Sequence, residues 1–117
     1  MITIIHGDDQ LTSRNKLVEL SANYIGQDKV ILNGSKMSLN ELIISLETQS
    51  IFASKKLVIV ENFLTCKVSP DKKRIIDYIL KAQFESDLLF WEAKELDKLT
   101  LVKFSKAKII SVSLPKL

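Results

Sequence analysis

The stretch Ser50-Ile51-Phe52-Ala53-Ser54-Lys55-Lys56-Leu57-Val58-Ile59-Val60-Glu61-Asn62 decides the fold. Leu57 to Val60 is a short, largely β-branched apolar run with no polar alternation, the pattern of a strand buried on both faces of a parallel sheet. Two large apolar residues, Ile51 and Phe52, stand outside that run, after the amphipathic pattern Ser38 to Leu46 and before the polar pair Lys55-Lys56. The strand does not need them, so they belong to a helix end or a loop. There they either cap the core or project as an apolar docking knob, and the residues alone leave both readings open.

Outward from this strand, apolar runs alternate with amphipathic ones. Ile2 to His6 reads as the first strand, and Gly7-Asp8-Asp9 supplies a turn and a helix start. From Gln10 to Tyr24, Leu11, Leu17, Val18, Leu20 and Ile25 follow an approximately helical spacing, with Gly26 as a stop. Val30 to Leu32 is the second strand. Ser38 with Glu41 has capping-box spacing, and Leu39, Leu42, Ile43 and Leu46 form the buried stripe of the helix that leads toward Ile51-Phe52. Ser69-Pro70-Asp71 marks a further helix entry, with Ile75, Ile76, Ile79 and Leu80 as its apolar face. Asp87 to Trp91 is the fourth strand, Leu96 to Phe104 a short helix and Ile109 to Val112 the last strand. The order β-α-β-α-β-α-β-α-β predicts an α/β three-layer sandwich, a mostly parallel five-stranded sheet with helices on both faces.

Composition narrows the function. With 117 residues, 46% of them hydrophobic, and only three Gly and two Pro, the chain is expected to be one domain over 1–117. No apolar run approaches the roughly 20 residues of a membrane span, and the first strand begins at Ile2, so a cytoplasmic location without membrane contact is expected. A lone Cys66 and a lone His6 give neither a disulfide nor a structural zinc site. The 17 Lys and Arg exceed 14 Asp and Glu by only three and are dispersed, which reads as a solvated surface rather than a phosphate-tracking stripe.

The chemistry-bearing motifs are equally sparse. A phosphate cradle after the first strand needs several glycines and a Lys, but Gly7 stands alone before two carboxylates that repel phosphates, so no cofactor is expected. Asp8 and Asp9 could hold Mg²⁺ as in the phospho-receiver domains of two-component signalling, yet the third strand ends in Glu61-Asn62 and the last lacks the required Lys. The simpler expectation is that Asp8 or Asp9 caps the first helix. His6 has no nucleophile placed beside it, Cys66 lies in a polar connector without a partner His, and Trp91 is expected in the core.

The residues resemble one family. Ile2-Thr3-Ile4-Ile5-His6-Gly7-Asp8-Asp9 looks like the first strand and Gly-acidic-Asp turn of the delta subunit of DNA polymerase III, part of the bacterial clamp loader. Ser50 to Val60 resembles the delta motif in which a Leu-Phe-like pair, a small residue and a basic residue precede the third strand. Asp87-Leu88-Leu89-Phe90-Trp91 with Lys94-Glu95-Leu96-Asp97-Lys98 resembles the fourth strand and the Leu-Asp/Ser-Lys turn. The pair here is Ile-Phe rather than Leu-Phe, and Thr12 and Ser13 depart from the family's pattern.

The resemblance implies an AAA+-like, P-loop-like topology without a working nucleotide site, and a non-enzymatic domain within a DNA polymerase III holoenzyme. It implies binding to the sliding clamp (the beta subunit) through Ile51 and Phe52, framed by Ser50, Ala53 and Lys55, and help in opening the ring. Lys55 and Lys56 read as solvated surface lysines, with a basic rim beside the apolar pair as the other reading. Contacts with the gamma/tau and delta prime loader subunits would lie in other regions, and DNA would be met only indirectly. A degenerate receiver-like signalling or interaction module is the alternative.

Overall fold

Nine elements alternate along the chain: β1 (Ile2–His6), α1 (Gln10–Ser21), β2 (Lys29–Asn33), α2 (Leu39–Glu47), β3 (Leu57–Glu61), α3 (Pro70–Lys81), β4 (Asp87–Trp91), α4 (Lys98–Lys103) and β5 (Lys108–Ser111). They belong to a computed structural model that describes residues 2–22, 24, 29–47, 56–67, 69–82 and 84–112. The strands form one sheet in the order β2-β3-β4-β1-β5, and every neighbouring pair is parallel. This is the expected α/β architecture. It also separates the chain from a receiver domain, whose sheet runs 2-1-3-4-5, because here β1 lies between β4 and β5.

Strand order dictates the layers. The β1-to-β2 connection crosses the sheet in one direction, whereas the connections β2-to-β3, β3-to-β4 and β4-to-β5 all move in the other. Right-handed crossovers therefore place α1 on one face and the remaining helices on the opposite face. Side-chain alternation agrees. Ile4, Val58, Val60, Leu88 and Phe90 join Leu42 and Leu46 of α2 and Ile75 and Ile79 of α3 in the larger core cluster. Ile5, Leu57, Ile59, Leu89 and Trp91 join Leu17 of α1 in the smaller one. Phe90 anchors the larger cluster between Phe63 and Phe104, with ring centroids 6.1 and 5.8 Å away.

The helix starts follow the sequence closely. Asp9 caps α1, its carboxylate accepting the Thr12 N–H at 3.1 Å. Ser38 and Glu41 form the reciprocal capping box of α2. Ser69 caps α3 with Pro70 in the first turn, whereas α4 starts at Lys98 behind its cap Asp97 rather than at the expected Leu96. The helix faces needed correction. Leu11 and Val18, expected in the buried stripe of α1, are 75% and 67% exposed, while Ser13, Leu17 and Ser21 face the sheet. The reason is local: the Trp91 indole N–H donates to the Ser13 hydroxyl at 3.1 Å, and serine is small enough to let the helix approach the indole. Leu80 of α3 also turns partly outward, leaving Ile75 and Ile79 as its buried pair. α1 ends at Ser21 rather than Tyr24, and the expected stop at Ile25-Gly26 lies outside the described residues.

Gly7 closes β1 with φ +133°, and a Cβ there would lie 1.5 Å from the Val112 carbonyl oxygen. Gly7→Ala is therefore expected to cost more than about 2 kcal/mol from backbone strain and the forced separation of the chain after β5. Urea unfolding checks this: the midpoint should fall with an unchanged slope, and an unchanged midpoint would refute the packing described for the β1 turn.

Candidate functional site

Open α/β sheets take ligands at the carboxyl ends of their strands. Here that end is occupied by the protein's own bonds. His6 is buried at the end of β1; its Nδ1 accepts the Leu96 N–H at 3.1 Å, which places the ring proton on Nε2, 2.9 Å from the Ser111 hydroxyl. Burial lowers its pKa, opposed by the nearby Glu95 carboxylate, so the ring is held neutral as a tie between β1, β5 and the loop before α4. Both oxygens of Asp9 are engaged by Thr12, whose hydroxyl and backbone N–H bonds lower the carboxyl's pKa. The helix terminus that would face a phosphate thus meets a carboxylate of its own chain.

Glu92, directly after β4, completes this end. Its side chain is fully buried, with Oε2 accepting the Phe63 N–H at 3.2 Å and Oε1 accepting the Thr65 N–H and hydroxyl at 3.0 Å each. Desolvation raises its pKa, while the backbone donors of Thr65, Leu64 and Phe63 and the Thr65 hydroxyl pull it back. Asn62 enters the same turn in the left-handed region, φ 57°, and its side-chain oxygen accepts the Ala93 N–H at 3.0 Å. Arg14 lies 3.8 Å over the Trp91 ring and pairs with Glu61 at 2.9 Å. The Lys72 ammonium donates to the Leu64 and Cys66 carbonyls at 2.9 and 2.8 Å. These contacts fasten the loops after β3 and β4 to the sheet.

The amino end of the sheet is built differently. It fixes the two points between which residues 48–55 run. At the end of α2, the Leu46 carbonyl accepts the Ser86 hydroxyl at 2.8 Å, and Glu47 Oε1 accepts the Tyr78 hydroxyl at 3.1 Å. Burial, then the Glu47 carboxylate, raises the Tyr78 pKa. At the start of β3, the Lys56 carbonyl accepts the Asp87 N–H at 2.8 Å. Tyr24, just past α1, donates its hydroxyl to the Asp87 carboxylate, and burial with this contact pushes its pKa up to about 12. Ser86 and Asp87 therefore tie the ends of α1 and α2 to the entry into β3.

Of the expected site residues, Ser50, Ile51, Phe52, Ala53 and Lys55 all lie outside the described residues. Lys56 was expected as a solvated surface lysine or part of a basic rim, but it is buried, 8% exposed, and cannot serve as either. Trp91 is in the core as expected, and Cys66 is half-buried in the loop after β3, its thiol 3.7 Å from the Lys67 carbonyl. Glu92 and the Ser86-Asp87 tie were missed in the sequence. A carboxylate directly following the apolar run Leu88 to Trp91 without a turn residue was the one available signal for Glu92. Among the described residues there is no group of three or more His, Cys, Asp or Glu able to hold a metal ion, and no helix long and apolar enough to cross a membrane.

The family model described as DNA polymerase III, delta subunit, matches residues 4–115. No curated protein matches the chain in sequence. Among solved structures, the Bacillus subtilis DNA clamp loader delta protein is similar, with a TM-score of 0.77 at 18% identity, covering 98% of this chain and 39% of that one. A DNA polymerase III, gamma subunit-related protein from Thermotoga maritima is similar at TM-score 0.66 and 14% identity, covering 99% and 42%. At these identities the likeness is one of fold, and the chain spans about two fifths of each relative's length.

Glu92 carries a pH signature. Its folded pKa lies above the unfolded value, so its contribution is greatest below the ordinary glutamate value of 4.5 and is lost as pH rises through the folded pKa. The stability of the wild type relative to Glu92→Gln is expected to fall between pH 4.5 and neutrality in urea titrations. A difference that stays constant with pH would contradict the buried, desolvated carboxylate.

Proposed function

Because this chain belongs to the DNA polymerase III delta-subunit family, we propose that it acts in DNA replication as a clamp-loader domain that docks on the sliding clamp through Ile51 and Phe52. Ser50, Ala53 and Lys55 frame the pair. The observation that carries this reading is the anchoring of the chain at Leu46-Glu47 and at Lys56, on either side of residues 48–55. The chain leaves α2 at Leu46-Glu47 and enters β3 at Lys56-Leu57, and both points are hydrogen-bonded to the 78–87 region. An apolar pair between two fixed points can be presented to a partner at a smaller ordering cost than one on a free tail.

The energetics are sufficient. Burying an aromatic side chain removes about 150–250 Å² from water, which at about 25 cal/mol per Å² is roughly 4–6 kcal/mol before association costs. Binding alone does not open a ring. The docked pair must bind the open clamp more tightly than the closed one, since equal affinity for both shifts nothing. In this reading the domain holds no catalytic residue and works by differential affinity. Contacts with other loader subunits, gamma/tau and delta prime, are assigned to the parts of such proteins beyond this domain. A cytoplasmic location follows from the replicative role. The receiver-like alternative loses its chemical basis, because Asp9 is committed to capping and Glu61 is paired with Arg14.

Calorimetric titration into the cognate bacterial clamp tests the proposal. Ile51→Ala with Phe52→Ala should weaken binding at least about 30-fold, as for a hot spot worth 2 kcal/mol or more, while leaving the urea midpoint unchanged. No wild-type binding, or equal binding by the double variant, would overturn it.

A further inference from the structure

A cleft of about 570 Å³ is lined by the end of α3, the residues that follow it, the end of α4 with the turn after it, and the first residue of β1. Its floor is apolar, formed by Ile2, Leu80, Phe84 and Phe104, and its rim carries Lys103 and Lys106. Leu80 is 45% exposed, and Ile2 and Phe84 are half-buried, so apolar surface remains open to an incoming group. Among the described residues no acidic one lines the cleft. The nearest charges along the chain at the α3 side, Lys81 and Glu85, are exposed and of opposite sign, so the two rim lysines set the local potential.

We propose that this cleft binds a short peptide segment in which an aromatic or aliphatic anchor is flanked by carboxylates. The volume lies within the range of pockets that enclose a small ligand, here an anchor side chain and its neighbours. The apolar floor supplies the affinity, and the lysines favour an acidic segment and reject a basic one. The chain's net charge of +3 acts in the same direction at longer range. The site lies at the α3–α4 side, over the first residue of β1. It uses none of residues 48–55, so it stands independently of the clamp reading.

Amide NMR spectra of the 117-residue chain, titrated with the probe acetyl-Glu-Asp-Leu-Phe-Asp-Glu-amide, test this. Saturable shifts are expected at Ile2, Leu80, Phe84, Ser105 and Ala107, with binding of acetyl-Lys-Lys-Leu-Phe-Lys-Lys-amide at least about tenfold weaker. The exposed double change Lys103→Glu, Lys106→Glu should weaken the acidic probe by about tenfold, with the amide spectrum away from the cleft retained as the check that the fold survives. Three results would overturn the proposal: no shifts at these amides up to millimolar probe, equal binding of both probes, or binding that the double charge reversal leaves unchanged. Equal binding of both probes would mark an apolar surface indifferent to charge, as expected for a lipid or a second copy of the chain.

Discussion

Burial of β3 and β4 on both faces is the constraint from which the rest of the structure follows. Leu57 to Val60 and Leu88 to Trp91 are each no more than 3% exposed, and Val58, Ile59 and Val60 pair with Leu88, Leu89 and Phe90 across the sheet. At about 1.5–3 kcal/mol for each large apolar side chain removed from water, these eight residues dominate the gain on folding. Such strands cannot be satisfied from one side, so helices must lie on both faces. Because only the first crossover runs against the others, a single described helix, α1, covers the smaller face. That helix must come close, which explains why a serine, Ser13, rather than a larger residue meets Trp91, and why Leu11 and Val18 are left outside.

The same sheet has two chemically unlike ends. At the carboxyl end, Glu92, His6, Asp9 and the Arg14–Glu61 pair spend their polar groups on one another and on the adjacent loops. A buried carboxylate is costly unless its oxygens are satisfied, and Glu92 meets the Phe63 N–H and the N–H and hydroxyl of Thr65, with the Leu64 backbone also acting on it. At the amino end, hydrogen bonds fix where the chain leaves α2 and where it enters β3. The first arrangement holds a scaffold together; the second suits the presentation of a segment. A clamp-binding role placed at the amino end thus asks nothing of the carboxyl end except rigidity.

Much of this was legible because it rests on local rules. The capping residues Asp9, Ser38 and Ser69 sit at positions that side-chain-to-backbone bonding dictates, and the apolar run at β3 reports its own burial. What was not legible depends on partners distant in sequence. Ser13 faces inward because of Trp91, 78 positions away, and Ser86 is buried because of Leu46, 40 positions away. Lys56 looked like a surface charge beside Lys55, yet its backbone pairs with Asp87 and its side chain is buried. The Ile51-Phe52 pair was legible only as an apolar excess with no role in the neighbouring strand.

The central claim is that a partner is met at the amino end of the sheet, through the α2–β3 connection. Hydrogen exchange of the domain with and without its cognate sliding clamp tests this most directly. The account predicts clamp-dependent protection centred on residues 47–57, with the 6–14 and 92–97 segments at the carboxyl end unchanged. Protection centred on those carboxyl-end segments, with 47–57 unaffected, would contradict it.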